Sequence, residues 1–112
     1  MERTKKAWGE KWNIFQNDLN EVSILYLTPK KRCSWHYHTA KYNLFFVIEG
    51  EVFIKTEWDI GKIEKGQIFT VAPGEKHEFQ TRDKPAILIE VMYVQYKESD
   101  IFREKPGGKI NE

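Results

Sequence analysis

The sequence predicts an all-β fold, built as a barrel or sandwich. Three observations carry that prediction. Apolar, β-branched and aromatic residues gather in short runs, such as V-S-I-L-Y-L at 22–27 and L-F-F-V-I at 44–48. Gly- and Pro-containing turns punctuate these runs at intervals of roughly 8–12 residues. No stretch sustains the apolar period of a helix.

In chain order, residues 1–7 are charged and are expected to fray. Trp8 to Phe15 carries Trp8, Trp12, Ile14 and Phe15 and reads as a short edge strand. Asn17 to Asn20 has turn composition. Glu21 to Thr28 is a strand, Pro29 to Arg32 a polar turn, and Cys33 to His38 the next strand. Asn43 to Thr56 is a hairpin around Gly50, and its unbroken apolar run predicts a strand covered on both faces. Trp58 to Ile63 is a strand or loop, and Gln67 to Ala72 a strand. Pro73-Gly74 makes a strong turn, since Pro presets one dihedral and Gly supplies a positive one. His77 to Thr81 is a strand, and A-I-L-I-E-V-M-Y-V at 86–94 predicts a long buried one.

At 112 residues the chain is expected to be one domain. Its barrel core would span about 22–95, with an N-terminal strand about 7–16 and a charged tail at 97–112. Eighteen basic and 17 acidic residues alternate along the chain for a net charge of +1, so no nucleic-acid partner is expected. No apolar run is long enough to span a membrane, and the charged N-terminus does not read as a signal peptide. One cysteine, Cys33, excludes an internal disulfide and fits a cytoplasmic setting.

The candidate chemistry lies in three histidines. His36 and His38 are two apart, which in a strand puts both imidazoles on one face. His77 follows the Pro73-Gly74 turn. Imidazoles converging from two strand segments point to a transition-metal ion, with Zn, Fe, Mn, Ni or Co all admissible.

Two spaced motifs around these residues resemble the cupin superfamily. The first, G-x5-H-x-H-x3,4-E-x6-G, is met by His36, His38 and Gly50, with Asn43 in the Glu position and Lys30 at the first Gly. The second, G-x5-P-x-G-x2-H-x3-N, is met by Gly66, Gly74 and His77; Ala72 replaces the Pro and Thr81 the final Asn. The resemblance implies a double-stranded β-helix, or jelly-roll barrel, over roughly 22–95. It also implies a divalent metal held by His36, His38, His77 and the residue at 43. The ends of the chain, Ala7-Trp8-Gly9 and Ile89 through Tyr96 to Arg103, are similar to the cupin domain of type II mannose-6-phosphate isomerases. That similarity implies a metal-dependent aldose–ketose isomerase acting on a sugar phosphate.

The remaining candidates each keep two readings. Asn43 offers a neutral amide oxygen, as a ligand or only as a local hydrogen-bonding group. Glu90 interrupts an apolar strand, either as a buried general base or as a rim residue paired with a lysine. Arg103, Lys30, Lys31 and Arg32 could hold a phosphate or be solvated surface charge. By strand alternation Cys33 and Trp35 face away from the histidines, and Cys33 is expected to be a buried, inert thiol. Three functions compete: a sugar-phosphate isomerase, a three-His iron dioxygenase, and a domain that binds a small molecule without turnover. A homodimer through edge strands or swapped ends is expected.

Overall fold

The computed structural model describes residues 1–95 and 104–110. Nine strands follow in order: β1 Glu2–Lys6, β2 Gly9–Gln16, β3 Glu21–Leu27, β4 Tyr42–Glu49, β5 Glu51–Thr56, β6 Ile60–Glu64, β7 Ile68–Val71, β8 His77–Gln80 and β9 Ala86–Tyr93. They form a six-stranded antiparallel sheet, β1-β2-β3-β9-β4-β7, facing a three-stranded one, β6-β5-β8. This is the expected jelly-roll barrel. Among the described residues no helix is long and apolar enough to cross a membrane.

Period-two alternation builds the interior. On β3, Ser23, Leu25 and Leu27 point inward; on β4, Asn43, Phe45 and Val47 do so, and on β9 Ala86 and Leu88. Val52, Ile54, Ile63, Val71 and Phe79 complete the core from the other strands, and Trp8 closes it edge-on against Phe79 with ring centroids 5.2 Å apart. Gly50 joins β4 to β5 at φ 78°, where a Cβ would stand 2.6 Å from the Pro85 carbonyl oxygen. Only glycine fits there.

Three expectations change. Residues 2–6 do not fray but pair with β2, from Glu2 opposite Asn13 to Lys6 opposite Gly9. The backbone of an edge strand tolerates charged side chains, because both faces of β1 remain in solvent. Consequently β2 lies inside the sheet. Residues 33–38 do not form a regular strand. Isolated bridges tie Arg32 to Gln80 and His36 to His77, so four residue steps on one segment oppose three on β8. That extra residue is a bulge-like irregularity, and it reverses the alternation. Finally, β4 and β9 are not covered on both faces. Leu44, Phe46, Ile87, Ile89 and Val91 are only half-buried on the outer side of the sheet.

Candidate metal centre

The cluster is assembled from a loop and a strand. His36 and His77 face each other through paired backbone hydrogen bonds, His36 N–H to His77 O at 3.2 Å and His77 N–H to His36 O at 2.9 Å. His38 joins them with its ring centroid 5.1 Å from that of His36 and 5.6 Å from that of His77. One nitrogen from each of the three rings lies within 4.8 Å of the others. The structure therefore brings together the three histidines that the motif spacing singled out.

Hydrogen bonding at the far ring nitrogens sets their tautomers. Nδ1 of His36 is 2.7 Å from the Ser34 carbonyl oxygen, and Nδ1 of His77 is 3.0 Å from that of Glu75. A carbonyl only accepts, so each Nδ1 carries the proton and each Nε2 keeps its lone pair for the cluster. Burial lowers the pKa of both His38 and His77, and the neighbouring His36 adds to the effect. Neutral rings are the form that binds a metal. Sequence reading missed Ser34 and Glu75, because a backbone carbonyl leaves no side-chain signature.

Asn43 sits under the cluster, 1% exposed. Its Nδ2 is 3.4 Å from His38 Nε2 and 3.3 Å from His77 Nε2, while its Oδ1 is buried with no hydrogen-bond partner. An orphaned buried acceptor is costly. A half-turn of the amide would put that oxygen between the imidazoles, where a cation would satisfy it. Three neutral imidazoles and an adjacent amide oxygen thus fit a divalent transition metal.

A cleft of about 740 Å³ opens over the cluster, and His36, His38 and Glu90 share its wall. Glu90 lies opposite Phe45 on β4 and Ser23 on β3, on the inward face. It keeps some accessible surface, yet its carboxyl is deep enough that desolvation raises its pKa, against the Lys11 ammonium and the Asn43 amide. Lys11 is paired with Glu21 rather than with Glu90. Cys33 also borders the cleft, on the same side as His36 because of the bulge. Burial pushes its thiol up to about 12, and the sulfur accepts a hydrogen bond from Phe79 N–H at 3.2 Å. It is an inert core thiol. Trp35 is 41% exposed, with the Lys55 ammonium 5.2 Å from its ring centroid. Of the phosphate candidates, Lys30, Lys31 and Arg32 line the cleft, and Arg103 lies outside the described residues.

Residues 23–92 match the Cupin domain family. The chain belongs to the cupins. No curated protein matches this cupin. Among solved structures it is similar to the cupin domain of Cnp3 from Schizosaccharomyces pombe, with a TM-score of 0.71 at 9% identity over 77% of this chain and 64% of that one. It is also similar to a Thermus thermophilus protein, with a TM-score of 0.70 at 21% identity over 75% of this chain and 81% of that one. A sugar phosphate isomerase of the cupin superfamily from Silicibacter pomeroyi gives a TM-score of 0.63 at 23% identity, over 70% of this chain and 52% of that one. This cupin thus spans about two thirds of the first of these chains and about half of the last. These likenesses reach the fold. The narrower resemblance to mannose-6-phosphate isomerases gains no support from them, and its Tyr96–Arg103 part lies outside the described residues.

Proposed function

We propose that this cupin binds a divalent transition metal through His36, His38 and His77, assisted by Asn43, and isomerises a small hydroxycarbonyl compound of the sugar-phosphate type. The observation that carries the reading is the common cleft. His36 and His38 line it with His77 buried beside them, their ring nitrogens within 4.8 Å of one another, and a desolvated carboxyl, Glu90, stands on the same wall. A bound metal would supply Lewis-acid polarisation of a carbonyl or hydroxyl oxygen. Glu90 would take the proton from the hydroxyl-bearing carbon beside that carbonyl and return it to the carbonyl carbon, while the hydroxyl proton passes to the former carbonyl oxygen. A sugar phosphate isomerase, from Silicibacter pomeroyi, is among the cupins of similar fold, which supports the reading. A cytoplasmic setting fits the unpaired thiol of Cys33.

Elemental analysis beside an aldose–ketose isomerase assay tests this reading. Stoichiometric metal that disappears in His36→Ala/His38→Ala is expected, with turnover that stops in Glu90→Gln. Because ionising Glu90 is penalised in the fold, the same substitution raises the melting temperature at neutral pH. Metal bound with no isomerase activity on any hydroxycarbonyl sugar phosphate would reject the isomerase. A second reading, a three-His iron site that activates dioxygen, is favoured by the all-neutral donor set that Asn43 creates. Oxygen uptake by the Fe(II)-loaded protein separates the two, and metal-dependent ligand binding without turnover identifies a non-catalytic cupin.

The protein acts as a homodimer packed through the outer face of its six-stranded sheet. One rung of that face, Trp12–Ile24–Ile89–Phe46–Ile68, is apolar across five neighbouring strands. The next, Phe15–Val22–Val91–Leu44, is apolar across four. Six strands about 4.8 Å apart and about seven residues long offer roughly 650 Å². That approaches the ~800 Å² per partner of a standard interface. Edge-strand exchange is disfavoured, since charged β1 covers the edge of β2. Sedimentation at micromolar concentration reads the mass directly, and a monomer would overturn the assignment.

A further inference from the structure

The rim of the cleft is built differently from its floor. Five cationic residues, Lys6, Lys11, Lys30, Lys31 and Arg32, line it, against the single carboxylate of Glu90. In a chain with 18 basic and 17 acidic residues such a concentration is not an average surface. The cations also come from two separate places, the β1–β2 hairpin and the turn after β3, so they do not reflect one charged run in the sequence. Lys11 is neutralised by Glu21, and Lys30 lies 4.0 Å from Asp83. Lys6, Lys31 and Arg32 form no ion pair with a carboxylate among the described residues.

The turn carrying three of these cations is held rigidly. Lys30 N–H donates to the Arg82 carbonyl at 2.7 Å, and Lys31 N–H to Thr81 Oγ1 at 3.1 Å. Thr81 is 3% exposed and donates in turn to the Thr28 carbonyl at 2.6 Å. Arg32 is bridged to Gln80 on β8. A turn whose backbone is fixed in advance costs less to use in binding. The floor adds to the same field, because a metal held by neutral imidazoles and an amide keeps its charge uncompensated.

We infer that the cleft binds a small oxyanion, a sugar acid or sugar phosphate. Its carboxylate or phosphate rests on Lys6, Lys31 and Arg32, and its hydroxyl-bearing end reaches the histidine floor. This deepens the reading of the metal floor and rests on it for the second contact only. Cleft volume suits a ligand of this size.

Calorimetric titration of the zinc-loaded and the chelator-treated protein tests the inference, with 6-phospho-D-gluconate, D-gluconate and D-glucose as probes. Both anions are expected to bind, more weakly as salt is raised, and neutral glucose to show no comparable heat. A stronger response to the phosphorylated probe assigns the rim to phosphate; equal responses assign it to carboxylate. Lys31→Ala/Arg32→Ala weakens the anions at least about tenfold, the loss of roughly one charge-assisted hydrogen bond. Lys62→Ala, which removes a lysine of β6 paired with Glu51 and Glu64 away from the cleft, leaves them unchanged. Glucose binding as tightly as gluconate, or full anion affinity in the double variant, overturns the inference. Zinc retained without anion binding sinks the rim alone. Anion binding retained in a protein that holds no zinc sinks the floor and keeps the rim.

Discussion

Single residues show where sequence spacing speaks and where it is silent. The three histidines were legible from the spacing of the two motifs, although residues 33–38 form no regular strand and His38 reaches the cluster from a loop. Cys33 was legible in chemistry but not in direction: its thiol is buried as expected, yet the bulge puts it on the side of His36. With its pKa pushed up to about 12, almost no thiolate exists at neutral pH. Iodoacetamide is therefore expected to leave the folded protein unmodified and to alkylate the urea-unfolded chain; fast labelling of the native protein would contradict this. His38 and His77 make a second case. Burial, above all, lowers both below the ordinary 6.5. As pH falls below that value the unfolded chain takes up these protons before the folded one does. The metal-free protein should lose stability as pH falls below about 6.5 and keep it above. Glu90, shifted upward, acts in the opposite sense, so melting curves in the Glu90→Gln background give the cleanest reading.

At the scale of elements, strands with alternating burial were readable and the connections were not. Lys30 shows why. It adopts φ 58°, a left-handed conformation that costs a side chain roughly 1–2 kcal/mol. The motif has glycine there, and the backbone keeps glycine's shape although the residue has changed. Lys30→Gly is expected to stabilise the protein by about 1 kcal/mol, reduced by the greater freedom of the unfolded glycine. Chemical denaturation measures it, and a lower midpoint would mean that Lys30 makes contacts worth more than its strain. Thr81 is a companion case. It stands where the motif has Asn, and its hydroxyl ties the turn at Thr28 to the turn at Lys31. Thr81→Val should cost about 1 kcal/mol by removing two part-buried hydrogen bonds to the backbone. Neither role has a local sequence pattern, because each depends on a partner about fifty positions away. The β1–β2 hairpin was unreadable for a related reason: a polar edge strand looks like a tail until its partner strand is known.

For the molecule as a whole, the unbroken apolar runs of β4 and β9 anticipated more cover than one chain provides. Their inward residues are fully buried, as at Val47 and Leu88, while Phe46 and Ile89 are left half open. In the proposed homodimer a second copy would supply the missing cover. Ile89→Glu, at the centre of the outer rung, should shift the protein to monomer without unfolding it, since the side chain never enters the core; sedimentation equilibrium with circular dichroism checks both parts. A variant that stays dimeric would move the contact elsewhere. The N-terminal hairpin has a separate meaning at this scale. Residues 23–92 carry the family match and the histidines, whereas Lys6 and Lys11 fall before it. One of the three proposed anion contacts, Lys6, is therefore on a piece of chain separable from the part that would grip an ion, while Lys31 and Arg32 are not. A lineage can retune selectivity by rewriting a short hairpin, and grafting residues 2–16 from another member should change which molecules enter while the ion content stays the same.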